Sequence, residues 1–242
     1  PGMDSPFDET QMKVGRRLAM KVLNASNFVL AKAEGHLDAA RITEPVDLAM
    51  LAALRGVVAT ATEAFEAFDY TPALEATERF FWTFCDDYLE VVKERSYGAQ
   101  GPDAAASAQA ALQLALSVQL RLFAPFMPFV TEEVWSWWRS GSVHHASWPS
   151  VGELPDAGDA ALLGDLGTAL IGIRGVKSNA KVSMKTVITA ATISGPADVI
   201  DRLRGAEADL RAVGKIAAPI EFSVGGDAVA VAAELEAETP AP

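Results

Sequence analysis

The chain has 242 residues, half of them apolar, with 20 Lys plus Arg against 32 Asp plus Glu and a formal net charge of −12. Such a length allows one large domain or two small ones with a sizeable core, and such a charge excludes a surface that is basic throughout. The single cysteine, Cys85, excludes an internal disulfide framework, and no run approaches the roughly 18 apolar residues of a membrane span, so a reducing, cytoplasmic setting is expected.

The first predicted element is a helix over residues 9–33, on which Val14, Leu18, Val22, Ala25 and Val29 form one apolar face. Met20, Leu23 and Leu30 add a second apolar edge, which suggests packing from two directions. No carboxylate lies between Glu9 and Glu34, whereas Lys13, Arg16, Arg17, Lys21 and Lys32 do. At about 100° per residue, Lys13, Arg17, Lys21, Asn24 and Phe28 fall within an arc of about 80°. A second acid-free window, Leu166 to Ala197, holds Arg174, Lys177, Lys181 and Lys185. Two readings fit these windows: phosphate-facing stripes on an acidic protein, or ordinary solvated helix faces.

A second helix is predicted from Pro45 to Phe68. Thr71 then caps a long helix through Ser96, with Pro72 at its first position and a stripe of Phe81, Phe84, Cys85, Tyr88 and Val92. Gly98 to Pro102 breaks the chain before a helix over Ala104 to Phe123. Pro125 and Pro128 bracket a tight link, after which Thr131 caps a short helix with Glu132 and Glu133 in its first turn. Four long helices joined by short links make an antiparallel bundle the economical arrangement.

The Gly- and Pro-containing stretch 149–158 reads as a linker. Beyond it the pattern predicts a helix over Ala160 to Asn179, a strand over Val187 to Ile193 and a helix over Ala197 to Val213. Ile220 to Val224 and Ala228 to Val231, joined by Gly225-Gly226-Asp227, read as a β-hairpin. The fold class is thus mostly α: a helical bundle over residues 1–150, a small α+β subdomain over 151–235 and a flexible tail over 236–242.

Catalytic chemistry is thin. Cys85 sits in an aromatic stripe, where a buried inert thiol is expected. His144 and His145 are adjacent in an apparent short strand and point to opposite faces, so they do not ligate one metal together. No metal-ligand spacing and no phosphate-binding loop is found, so neither a catalytic residue nor a metal ligand is assigned. Trp135, Trp137, Trp138 and Trp148 invite base stacking, but Arg139 is the one cation in their local surroundings, and burial between bundle and subdomain is the better account.

Several segments, in order, resemble the anticodon-binding helical domain of the class I tRNA synthetases for Val, Ile, Leu and Met. They are Lys21-Val22-Leu23-Asn24-Ala25-Ser26-Asn27-Phe28; Phe68-Asp69-Tyr70; Phe81 to Glu90; Ala124-Pro125-Phe126-Met127-Pro128-Phe129-Val130-Thr131-Glu132-Glu133-Val134-Trp135; and His144 to Pro149. Cys85-Asp86-Asp87-Tyr88-Leu89-Glu90 followed by Lys93, Arg95, Tyr97 and Gly98 is most similar to the valyl branch, with the isoleucyl branch as the nearest alternative. The departures are Leu23, where many relatives carry Trp, and the absence of a basic coiled-coil arm in the sequence.

The resemblance implies the tRNA-binding, C-terminal part of a valine–tRNA ligase, with no catalytic residue and no cofactor of its own. ATP and Mg would be handled by the parent's catalytic domain. The implied partners are a valine-type tRNA, through its anticodon region, and the upstream catalytic and editing domains; neither membrane nor DNA is expected. Lys13, Arg17 and Lys21 are assigned to phosphate, Asn24 and Asn27 to base edges, and Lys93, Arg95 and Tyr97 to the opposing wall. On their own terms, Asn24 and Asn27 fit buried hydrogen bonds between helices as well, and Lys93 and Arg95 fit a helix C-terminus. Arg174, Lys177 and Lys181 could share a second basic face. Two other classes of function fit the composition: an acidic helical module that docks basic proteins, and a hydrolase using Cys85 and His144.

Overall fold

The computed structural model describes residues 8–31 and 38–236; Lys32, Glu34 and the tail from residue 237 onward lie outside the described residues. Helix α1, Glu9–Leu30, is capped by Asp8, whose carboxylate accepts the Thr10 amide at 2.7 Å. Leu18, Val22, Ala25 and Val29 are buried as the periodicity requires, while Val14 and Met20 remain exposed. Of the expected second edge, Leu23 and Leu30 pack on the core and Met20 does not.

α2, Pro45–Glu66, is apolar enough over 18 residues to match a membrane span by composition, with a mean hydropathy of 1.4. Its setting accounts for this composition, because it packs on α3 (Thr71–Thr83), on α5 (Pro102–Phe123) and on α7 (Ala161–Asn179). Thr71 lies inside α3 rather than capping it; the Asp69 carboxylate takes the Thr71 amide at 3.2 Å. The expected long helix does run to Ser96, but a π turn at Phe84–Tyr88 separates α3 from α4, Leu89–Ser96. α6 spans Pro128–Ser136, one turn earlier than expected, and Thr131 bonds back to the Met127 carbonyl at 2.9 Å instead of capping. His144 and His145 belong to a 3-10 turn, Val143–His145, not a strand, because Ser142 Oγ accepts the His144 amide at 3.2 Å.

The 149–158 segment is pinned to the bundle. Leu154 is buried, and Gly158, at φ +104°, passes so close to α2 that a Cβ there would stand 2.4 Å from the Leu48 carbonyl oxygen. The hydrophobic core accordingly continues from Val22, Leu54 and Leu122 through Leu166 to Ile193 and Leu210.

The C-terminal part holds β1 (Ile188–Gly195), α8 (Ala197–Arg204), α9 (Glu207–Gly214), β2 (Glu221–Val224) and β3 (Ala230–Leu235). The helix predicted over 197–213 breaks at Gly205-Ala206 into α8 and α9. The predicted hairpin is not formed: the sheet order is β2-β1-β3, with β1 parallel to β2 and antiparallel to β3. β1 carries the buried Ile188, Ala191 and Ile193, so it takes the central place. The Gly225 link crosses its end, donating from the Gly225 amide to the Gly195 carbonyl at 2.9 Å.

Candidate nucleic-acid interface

α1 runs beside α3 and α4 in the same direction, which places Lys21 against Asp86 and Phe28 against Tyr97. The seam between them opens into two adjoining cavities that share Lys21 and Asn24. One, of about 500 Å³, is rimmed by Lys13, Arg16, Arg17 and Lys21, with Met20 and Trp82 as its apolar walls. Among the described residues no ion pair holds Lys13, Arg16 or Arg17, and all three are exposed. Four cations on two turns of one helix make a local positive field on an otherwise acidic protein.

The other cavity, of about 250 Å³, has an apolar floor of Ala25, Cys85 and Leu89, an aromatic wall at Phe28, and Asn24, Glu90 and Lys93 as polar groups. Phe28 meets the ring of Tyr97 edge to face at 6.2 Å, which fixes the wall. Burial pushes the Cys85 thiol up to about 12, against the pull of nearby Lys21, so it remains protonated. His144 faces a different cavity, beside Arg121 and Trp148, and touches the Pro128 carbonyl.

Lys21 is the hinge of the site. Its ammonium donates to Asp86 at 2.8 Å and stands 5.6 Å from the centre of the Trp82 ring. The bond to Asp86 raises its pKa despite some desolvation, so it is charged throughout the physiological range. From α7, the Arg174 guanidinium reaches the carbonyl of the same Asp86 at 3.4 Å. Burial raises the pKa of neighbouring Asp87, with Arg174 acting in the opposite sense.

Of the eight residues assigned from sequence, the structure gathers Lys13, Arg17, Lys21, Asn24 and Lys93 around these cavities, with Tyr97 behind Phe28. Asn27 is exposed on α1 but lines neither cavity. Arg95 is a correction. It is fully buried, its two Nη atoms donating to Asp47 at 2.7 and 2.8 Å and its Nε to Asp209 at 2.9 Å. Tyr88 and Ser107 donate to the same Asp47 at 2.7 and 2.6 Å, and Gln100 donates to Asp209 at 2.8 Å. A guanidinium held by two carboxylates and wholly buried is out of reach of a phosphate.

Lys177 is a second correction, since its ammonium is buried and capped by the carbonyls of Met184 and Gly214 at 2.9 and 2.8 Å. It therefore does not share an exposed face with Arg174 and Lys181.

Sequence reasoning gave no role in the site to Trp82, Asp86 and Glu90, and set Arg174 on a separate basic face. The first three had a signal: with Lys93 they recur every three to four residues along α3 and α4, the spacing of one helix face. Among the tryptophans, Trp135 is buried and Trp148 packs on Phe65 with its Nε1 donating to Thr62 at 2.9 Å, so neither offers a stacking platform.

The family profile described as the anticodon-binding domain of tRNA ligase matches residues 47–192. The chain belongs to this family. The expectation of an anticodon-binding helical domain, first drawn from short motifs, is borne out, and the match runs past residue 150 through α7 into β1. Among curated relatives, the valine–tRNA ligase of Cutibacterium acnes is 59% identical over 243 residues, covering 100% of this chain and 28% of that protein. The valine–tRNA ligase of Thermobifida fusca is 52% identical, covering 89% of this chain and 25% of that protein, and the one from Leifsonia xyli is 50% identical over 93% and 27%. The chain thus spans little more than a quarter of the length of these relatives. Among the described residues no group of three His, Cys, Asp or Glu side chains gathers as a metal site would require.

Proposed function

We propose that this chain is the anticodon-reading part of a valine–tRNA ligase and that the α1–α4 seam receives the anticodon loop. The observation that carries this is the meeting of exposed cations, an amide and an aromatic wall in two joined cavities of nucleotide scale. Lys13, Arg16 and Arg17 hold phosphates, because exposed cations on one helix position a backbone without reading sequence. Asn24 reads a base edge, Phe28 braced by Tyr97 stacks an unpaired base, and Lys93 closes the opposite wall. ATP, Mg and valine are handled by other domains of the ligase in the cytoplasm, and the chain alone carries no ligase activity.

The test is binding of the chain to a fluorescent RNA hairpin carrying a valine anticodon loop and to one with the loop scrambled. K13A/R17A is expected to weaken both hairpins alike and to reduce the salt slope by about 1.4, two single-strand contacts at roughly 0.7 each. N24A is expected to narrow the preference between the two loops. Equal affinity of the unmodified chain for both hairpins would defeat the assignment.

A further inference from the structure

Lys21 lines both cavities, and its ammonium is already taken by an anion from the protein itself, the Asp86 carboxylate at 2.8 Å. The side chains of this pair are 35% and 57% exposed, a setting in which ion pairs add little to stability. Its position is the informative property. The pair sits where the cationic rim gives way to the base-sized cavity, and Asp86 rides on the π turn, where the register of the helix shifts. Arg174 reaches from α7 to the Asp86 backbone carbonyl, at 3.4 Å. Lys13, Arg16 and Arg17 on the same helix have no such partner among the described residues.

Resting on the function proposed above, we propose that Asp86 is a built-in competitor of RNA phosphate for Lys21 and that it holds down the affinity of the site for RNA. A polyanion that touches only the rim binds through Lys13, Arg16 and Arg17 and leaves Lys21 paired. An anticodon loop that also fills the base cavity lies against Lys21 and displaces the carboxylate, the base contacts offsetting the broken pair. Asp86 thus withholds one cation from any RNA that does not fit.

D86N tests this, since the amide keeps the shape and removes the charge at an exposed position. It is expected to tighten the valine-loop hairpin by about two- to fivefold, the range of an exposed ion pair, and to tighten the scrambled hairpin by less, since an RNA that leaves the pair intact gains less from Lys21 than the pair is worth. The salt slope for the scrambled hairpin should steepen by about 0.7, one added phosphate contact. In a K21A background the effect of D86N should vanish. Unchanged or weaker binding by D86N overturns the proposal, as does a gain that persists without Lys21, which would mark simple repulsion by Asp86. If K13A/R17A has no effect on either hairpin, the groove itself is not the RNA site, and that outcome is read separately.

Discussion

Replacing Arg95 by Met should be among the most damaging single changes in the protein, although the side chain touches no solvent. Arg95 joins α4 to Asp47 on α2 and to Asp209 on α9, with side-chain exposures of 0%, 0% and 6%. Removing the cation leaves two buried carboxylates that keep only Tyr88, Ser107 and Gln100 as side-chain donors. Loss of one member of a buried pair costs about 3–5 kcal/mol. With a urea dependence of about 2–3 kcal/mol per M, the unfolding midpoint should fall by about 1–2.5 M. Asp209→Asn should behave differently. Burial raises the pKa of Asp209, with Arg95 and Gln100 opposing. A group raised on folding gives its full stabilisation at low pH and loses it as pH rises through the folded value, so at pH 7 the Asp209 anion contributes little net. The neutral amide should cost under about 1 kcal/mol, because Arg95 retains Asp47. Urea titrations of both variants at pH 7 check this. A shift for R95M worth less than about 1 kcal/mol, or equal shifts for the two variants, would refute the reasoning.

Three further outcomes are expected. Cys85, pushed from 9.0 to about 12, holds roughly a thousandfold less thiolate than an ordinary cysteine, so native-state alkylation at pH 8 should be slower by about that factor; labelling at the free-thiol rate would show the cavity floor to be open. Burial would raise the Glu153 pKa, but Arg121 and the Ser150 amide outweigh it and the net shift is down. The Glu153 contribution is therefore present at neutral pH and lost as pH falls below 4.5, so E153Q should flatten the acid limb of a stability–pH curve, and an unchanged limb would count against it. Gly158→Ala should lower stability by about 2–3 kcal/mol in thermal melts, since it strains a positive φ and drives a Cβ into Leu48, and an unshifted melt would show that the linker moves freely.

Much of the bundle was legible because its signals are local. The face of α1 follows from helical spacing, and the same arithmetic brings Lys13, Arg17, Lys21 and Asn24 to one flank. What escaped depends on partners far away in sequence. Arg95 looks like a helix-terminal cation until Asp47 and Asp209, 48 and 114 residues away, close on it. Spacing alone held a warning, since Lys93 and Arg95 lie two positions apart and face opposite sides, whereas Lys93 and Tyr97 share a side. Lys177 and Arg174 were misread for the same reason: one is buried by carbonyls from later segments, and the other reaches back 88 residues to Asp86. The Gly-Gly-Asp turn announced a hairpin, but the more apolar β1 was the better neighbour for both strands, and no local pattern encodes that competition.

The order β2-β1-β3 carries a consequence for synthesis and for proteolysis. Both neighbours of β1 lie later in the chain, at Glu221–Val224 and Ala230–Leu235. Until they arrive, or if they are clipped away, a strand bearing Ile188, Ala191 and Ile193 has its β3 edge open and, beyond the bridge from Ile188 to Ile216, its β2 edge open as well. Such a strand is a template for pairing between molecules. Chains cut before residue 221 should therefore self-associate through β1 even where the helices remain folded, which makes the last strands guardians of solubility as well as parts of the core.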